Sequence, residues 1–465
     1  MYLHLGFKAP ERVVQRSRIR AVWSILRMRH PLLASKIDMR AYDDVRFVFT
    51  PPTSPEDALI EAESQLQYKT DSKDELIDAY LNGPRTLSND RLSFLIVSRS
   101  LGSDSADEPE NDYEWFMCAA HFIGDGMALH TFANDFFELL GSMRSQEDLE
   151  ELVAEEWQQR WGKPVPALPV SPETRLPEAQ GKFRRAVGRV DFERNQERQI
   201  GGQAFPRKSV EVRHTVVPTV PFDKDVTKSM LRKCKSQGVS IASALFAICN
   251  IAWARMSPRE KQTLPMMMYA ALNIRPYFVP RPLNDSYWFL AVGYFNVILP
   301  NFIPSSCDLS KTFWLRARAA KDQSARAAKN PMIVSRSKEM SLKRGRQARA
   351  WAREDDEKEC GTWVAPPSKP KDATAAAPRA PSAALIGLSL LGNLDAMYKH
   401  ATYPEIKMHT LTTGSRQRNG GMLLFGYTFA GKLWVSLGYD ENGFEQKVID
   451  QFWSNVLGGI EEFLV

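Results

Sequence analysis

His121-Phe122-Ile123-Gly124-Asp125-Gly126 is the stretch whose residue types and spacing can do chemistry. An imidazole takes a proton from a hydroxyl near neutral pH, because its unperturbed pKa is about 6.5. Making a hydroxyl nucleophilic is the hard part of ester formation when the acyl group is already activated, as in a thioester. No covalent enzyme intermediate is then required. Asp125 stands four residues after His121. At a helix start its carboxylate can accept from backbone N–H groups or pair with a cation. Gly126 removes a side chain where a turn must lie close to a strand or substrate. His121, Asp125 and Gly126 are therefore the candidate catalytic residues, with His121 as general base.

Other chemistries fit less well. His121, Asp125 and His130 could be metal ligands in principle. On a helix, however, Asp125 and His130 are five residues apart and diverge around the axis, so no metal is expected. A serine triad lacks a Gly-x-Ser-x-Gly elbow, and no Walker-type phosphate loop occurs. Cys118, Cys234, Cys249, Cys307 and Cys360 are odd in number and form no C-x-x-C pair, so reduced core thiols are expected. Arg336, Lys338, Lys343, Arg344, Arg346, Arg349 and Arg353 stand against one acid, Glu339. They could meet phosphates, but such a run is more often a solvated face. Ser415, Arg416 and Arg418 are a second candidate for contacts to an acyl donor. Met266-Met267-Met268 could line a tunnel, though core packing is the preferred reading. His130, His214, His400 and His409 receive no role.

The elements that must position His121 follow from periodicity. Residues 93–98 and 113–120 read as strands, separated by an acidic loop at 104–112, and the second strand runs straight into His121. Leu129, Phe132, Phe136, Leu139 and Leu140 then recur at three and four, which predicts a helix from Asp125. Upstream, Val13, Ile19, Val22, Trp23, Ile25 and Leu26 form the stripe of a helix over 10–29, ended by His30-Pro31. Residues 1–8 read as an edge strand and 45–50 as a short strand. Helices are expected over 56–66 and 73–81. Residues 160–222 hold eight prolines, which suggests a crossover. Beyond it come helices over 226–236 and 240–253, strands over 265–273 and 288–299, and a helix over 310–329. Residues 343–381, charged and then rich in Ala and Pro, read as a mobile insertion. A strand over 385–391, a hairpin around Gly431-Lys432 and a helix over 444–464 close the chain.

The 465 residues suggest two domains. The mixture of strands, helices and crossovers gives class α/β (α+β). A net charge of +6 from 61 basic and 55 acidic residues implies only a mild preference for anions, and no nucleic acid partner. There is no run of about 18 apolar residues and no secretory signal pattern. The expectation is a cytoplasmic monomer without a membrane span.

His-x-x-x-Asp-Gly behind a buried strand resembles the signature of the CoA-dependent acyltransferase superfamily. That group includes plant hydroxyl acyltransferases, condensation domains of peptide synthetases, and fungal alcohol and trichothecene acetyltransferases. His30-Pro31-Leu32-Leu33 is similar to its early His-Pro-x-Leu pattern. Asn273-Ile274-Arg275-Pro276 resembles its later Asn-x-Arg, and Gly293-Tyr294-Phe295-Asn296-Val297 the strand that follows. Residues 431–440 are similar to its late hairpin. The matches fall in family order and span nearly the whole chain.

The resemblance implies two chloramphenicol-acetyltransferase-like halves with a central channel: 1–175 carrying the motif, a linker over 176–222, and 223–465 with the insertion near 343–381. It places His121 midway, with acyl-CoA (acetyl-CoA) as co-substrate on one side and a small-molecule alcohol on the other. It implies that Asp125 pairs with Arg275, and that Asn273 and Arg275 support the site. Two departures narrow the group. Condensation domains carry a second histidine where Ala120 stands, and the plant Asp-Phe-Gly-Trp-Gly is replaced by Leu390-Leu391-Gly392-Asn393-Leu394-Asp395. Both point toward fungal O-acetyltransferases of secondary metabolism. The competing readings are a condensation-type domain using carrier-protein thioesters, against which Ala120 counts, and a non-catalytic binding module, against which the intact motif counts.

Overall fold

The structure is a computed structural model that describes residues 1–99, 110–160, 168–209, 212–279, 286–305, 308–365 and 380–465. The first lobe contains β1 (Tyr2–Ala9), α1 (Arg16–Arg29), β2 (Lys36–Ala41), β3 (Asp44–Val48), α2 (Pro55–Ser64), β4 (Leu66–Lys69), α3 (Lys73–Asn82), β5 (Ser93–Arg99), β6 (Asn111–Ala119), α4 (Gly126–Leu140) and α5 (Gln146–Arg160). α6 (Pro172–Arg175) and α7 (Gly181–Glu197) lead to the second lobe. There follow β7 (Thr215–Val216), β8 (Thr219–Phe222), α8 (Lys224–Ser236), α9 (Ile241–Ala254), β9 (Met266–Asn273), β10 (Val292–Leu299), α10 (Leu309–Ala328) and α11 (Ile333–Glu359). β11 (Ala384–Asn393), β12 (Lys407–Gly414), β13 (Met422–Phe429), β14 (Lys432–Asp440) and α12 (Gln446–Leu464) complete the order. The class is α/β and the fold is two-lobed.

The first sheet runs β12-β1-β6-β5-β4, so a strand from late in the chain completes the first lobe. This corrects the edge-strand reading of residues 1–8. β1 pairs with β6 on one side and β12 on the other, and all of it except Lys8 is buried. A strand covered on both faces loses the polar alternation of a one-sided strand, and its partner lies about four hundred residues away. The second sheet runs β10-β9-β11-β13-β14-β7, with β8 also paired to β14. Each lobe has its own core. Trp23, Trp115, Phe132, Phe136 and Phe137 fill the first; Phe246, Leu388, Leu424, Val435 and Phe452 fill the second.

Three stretches depart from expectation. The 176–222 region is not a bare linker: α7 forms there, and β7 and β8 join the second sheet. Residues 343–359 are the second half of α11, because their Lys, Arg, Gln, Ala and Glu are strong helix formers; residues 366–379 of the expected insertion lie outside the described residues. β10 starts at Val292, not at 288, because Trp288 leaves the strand direction and is buried in the first lobe's core. The acidic loop at 104–112 lies mostly outside the described residues. Among the described residues no single helix is long and apolar enough to cross a membrane; α8 and α9 pass such a test only as a pair bent by 92°.

Candidate functional site

β6 delivers His121. Its pairing with β5 runs to Ala119 opposite Ser93, and Ala120 N then donates to the Leu92 carbonyl at 2.9 Å. A tight turn follows, closed by Ile123 N donating to the Ala120 carbonyl at 3.1 Å. His121 Nδ1 lies 3.1 Å from the Gly124 carbonyl oxygen. A carbonyl only accepts, so Nδ1 carries the hydrogen and Nε2 keeps its lone pair in the neutral ring. This side chain is exposed, so water reaches it. Yet burial is the largest influence on its pKa and holds it below the ordinary imidazole value.

Asp125 has a different part. Its Oδ1 accepts from Ala128 N at 3.1 Å, the N-cap bond of α4. Its Oδ2 accepts from Arg275 Nη1 and from Ala291 N, both at 2.8 Å. The carboxylate is 3% exposed and both oxygens are committed. It is a positioning group: it holds the helix that follows the histidine to the segment before β10. Glycines permit the close approaches beside it. A Cβ on Gly124 would lie 2.6 Å from the Trp288 ring, which no real Cβ tolerates. A Cβ on Gly126 would lie 3.1 Å from Leu391 of β11.

The second lobe supplies the clamp. Asn273 Oδ1 accepts from Arg275 N at 3.0 Å and sets the turn from which the guanidinium reaches Asp125. Arg275 lies over the Phe289 ring at 4.9 Å, and its Nη2 donates to the Phe289 carbonyl at 3.3 Å. Segment 286–289 then crosses into the first lobe. Ser286 Oγ meets His30 Nδ1 at 3.0 Å, Tyr287 Oη donates to Asp135 Oδ2 at 2.6 Å, and Trp288 packs edge-on against Phe132 at 5.6 Å. At the other end of α4, the buried Arg18 donates to the carbonyls of Leu140, Ser142 and Arg144. A cation there satisfies the last carbonyls and suits the helix dipole. α4 is thus pinned at both ends.

The remaining candidates separate from His121. His130 is buried with Nδ1 2.8 Å from Tyr398 Oη, and burial lowers its pKa to about 3. No trio of metal-ligating side chains converges among the described residues. Met266, Met267 and Met268 are buried, the first and third in the second core. Arg416 donates to the carbonyls of Tyr80, Gly83 and Pro84, so its guanidinium caps the end of α3. Arg418 lies over Trp351 at 4.1 Å. In the basic run, Arg336 forms a two-pronged pair with Asp191, while Arg344 and Arg353 lie over Tyr294 and Tyr42. These arginines fasten α11. The free cysteines Cys118, Cys234 and Cys249 are buried, and Cys360 is exposed. Sequence reasoning missed Gly124's packing role, Ser286, Tyr287, Trp288 and Leu391. No local pattern marks them, because each acts on a residue more than a hundred positions away.

No protein-family model matches the sequence, and no curated protein sequence matches it significantly. Solved structures do. The chain is similar to the TRI3 trichothecene 15-O-acetyltransferase of Fusarium sporotrichioides with a TM-score of 0.75 at 11% identity, covering 100% of this chain and 90% of that one. It is similar to the condensation domain of the monacolin K polyketide synthase MokA with a TM-score of 0.57 at 9% identity, covering 99% and 92%. It is also similar to SgcC5 of Streptomyces globisporus with a TM-score of 0.56 at 15% identity, covering 99% and 91%. At such identities the likeness is one of fold. The chain therefore has the two-lobed, condensation-type fold found in an O-acetyltransferase and in condensation domains.

Proposed function

We propose that this chain moves an acyl group, acetyl first among candidates, from acyl-CoA to the hydroxyl of a small-molecule alcohol, with His121 as general base. The observation that carries the reading is the state of one ring. Nδ1 of His121 is tied to the Gly124 carbonyl, so Nε2 is left as the basic atom of a water-reachable imidazole. A base held in one tautomer by its other nitrogen is the arrangement that proton abstraction needs. The likeness of fold to an O-acetyltransferase supports acyl transfer as the reaction class.

The steps balance as follows. Nε2 accepts the alcohol proton as the oxygen attacks the thioester carbonyl. The tetrahedral intermediate places negative charge on the former carbonyl oxygen. Collapse breaks the carbon–sulfur bond, and the imidazolium returns its proton to the thiolate, leaving ester and free CoA thiol. The oxyanion needs a donor. In β11, facing Gly126 through Leu391, only Ser389 and Asn393 carry donor side chains before Leu394. Asn393 Oδ1 accepts from Thr428 Oγ1 at 3.2 Å, which orients the amide and leaves its Nδ2 hydrogens to donate, so Ser389 and Asn393 are the two residues we assign to that task.

The test is incubation with acetyl-CoA and a panel of small alcohols, following free thiol and product mass together. The reading predicts thiol release that depends on the alcohol, with a product heavier by one acyl group. A protein that binds such alcohols yet releases no thiol with any of them would be a binding module. Release only from carrier-protein thioesters would favour condensation chemistry.

A further inference from the structure

The first lobe contains a cavity of about 210 Å³ between α1, α2, β5 and the β2–β3 hairpin, with Arg27, Ser35, Lys36, Glu61, Arg91 and Ser93 in its wall. Arg27 is 8% exposed. Its Nη1 donates to the Leu33 carbonyl at 3.0 Å and to Ser93 Oγ at 3.3 Å, and its guanidinium carbon lies 5.4 Å from the Trp23 ring. Among the described residues neither Nε nor Nη2 has a hydrogen-bond partner, and no carboxylate lies within ion-pairing distance. Burial lowers its pKa to about 10, so it remains a cation at neutral pH. Glu61 acts on this cation electrostatically but from beyond ion-pairing distance, so burial remains costly, and an anion in the adjoining space would relieve more of that cost.

The other groups in the wall define what that anion must be. Ser93 Oγ donates to the Leu33 carbonyl, Ser35 Oγ to the Pro31 carbonyl and Ser64 Oγ to the Glu61 carbonyl. These three hydroxyl protons are therefore spent; Thr50 adds a further hydroxyl to the wall and Gln65 a buried Oε1 without a partner, and the strongest donors left are cationic N–H groups. Among these groups the guanidinium edge of Arg27 matches planar or tetrahedral oxyanions two-pronged. Glu61 is the one carboxylate on the inner wall. Burial raises its pKa, partly offset by Arg27. Asp90 stands at the rim, 3.7 Å from Lys36, with both side chains largely exposed.

We infer that this cavity is a binding site for the oxyanion, carboxylate or phosphate, of a small molecule, with Arg27 as its anchor. The site adjoins Leu92, whose carbonyl holds Ala120 next to His121. It does not depend on the acyl-transfer reading, and its test uses binding alone. Thermal unfolding of wild type, R27Q and E61Q is followed during titration with sodium acetate, sodium succinate or sodium phosphate, each against sodium chloride of equal ionic strength. A ligand that binds only the native state raises Tm in a saturable way. The expected result is a saturable rise in wild type with carboxylates or with phosphate, the responding salts identifying the source. The rise is lost in R27Q, and in E61Q half-saturation comes at a roughly fivefold lower concentration, because one like charge has been removed. No rise beyond chloride, or an equal rise in R27Q, overturns the inference. Should R27Q fail to fold, an unchanged half-saturating concentration in E61Q overturns it.

Discussion

At the scale of the residue, the proposed function makes His121 a base made available by its neighbours. The Gly124 carbonyl fixes the tautomer, and burial lowers the pKa. The sign of the consequence is definite. A base works in its neutral form, and a lowered pKa keeps that form dominant at neutral pH. The acid limb of kcat/KM against pH should have its midpoint below 6.5, and a midpoint at or above 7 would contradict this placement of the ring. Asp125 acts on the histidine through structure. Arg275→Ala leaves a carboxylate that is 3% exposed without its cation. Because Arg275 itself is 22% exposed, the loss of stability should fall at the lower end of about 3–5 kcal/mol. Activity should fall with it. Urea denaturation checks the first quantity and the thiol-release rate the second; a normally stable, fully active variant would remove the pair from the account.

At the scale of the element, the strand–turn–helix unit carrying His121 was legible in the sequence, because it is local. The apolar run before His121 and the three-four spacing after Asp125 are each visible within fifteen residues. What holds the unit was legible only in part: the family resemblance anticipated the Asp125–Arg275 pair, but nothing pointed to segment 286–291. Segment 286–291 has the composition of a strand, and its aromatic residues read as part of one. Its real partner is a bare backbone at Gly124, over which the Trp288 ring lies. Gly124→Ala should therefore drive that ring off its seat and cost about 1–3 kcal/mol, with loss of activity larger than the loss of stability alone explains. Comparing denaturation midpoints with specific activity for this variant separates the two effects; a silent substitution would show the contact to be loose. α11 was misread for another reason. Its charge density resembled a solvated loop, but its residue types favour a helix, and Arg336, Arg344 and Arg353 spend their charge on Asp191, Tyr294 and Tyr42.

At the scale of the whole molecule, the lobes are interleaved and not simply juxtaposed. β12 completes the first sheet, Trp288 enters the first core, and the Asp125–Arg275 pair spans the seam. The residue motifs that resemble the acyltransferase superfamily announced the two-lobed fold, but this exchange of strands over hundreds of residues leaves no mark in local pattern. The seam also carries a pH dependence. His30, against Ser286 and Tyr287, and His130, against Tyr398, are buried, and burial lowers each pKa to about 3. The unfolded chain binds these protons near pH 6.5 and the folded chain does not. Stability is thus fully present above about 6.5 and falls progressively as pH drops toward 3. Denaturation curves at pH 7 and pH 5 should show the lower midpoint at pH 5, and His130→Asn should reduce the difference. The central claim concerns His121 itself, and the most direct measurement is kcat/KM for acyl transfer in His121→Ala, with folding and acyl-CoA affinity measured on the same sample. The account predicts a loss of about 10²–10⁴-fold with both of those unchanged; a variant that folds, binds acyl-CoA and keeps activity within tenfold of wild type would contradict it.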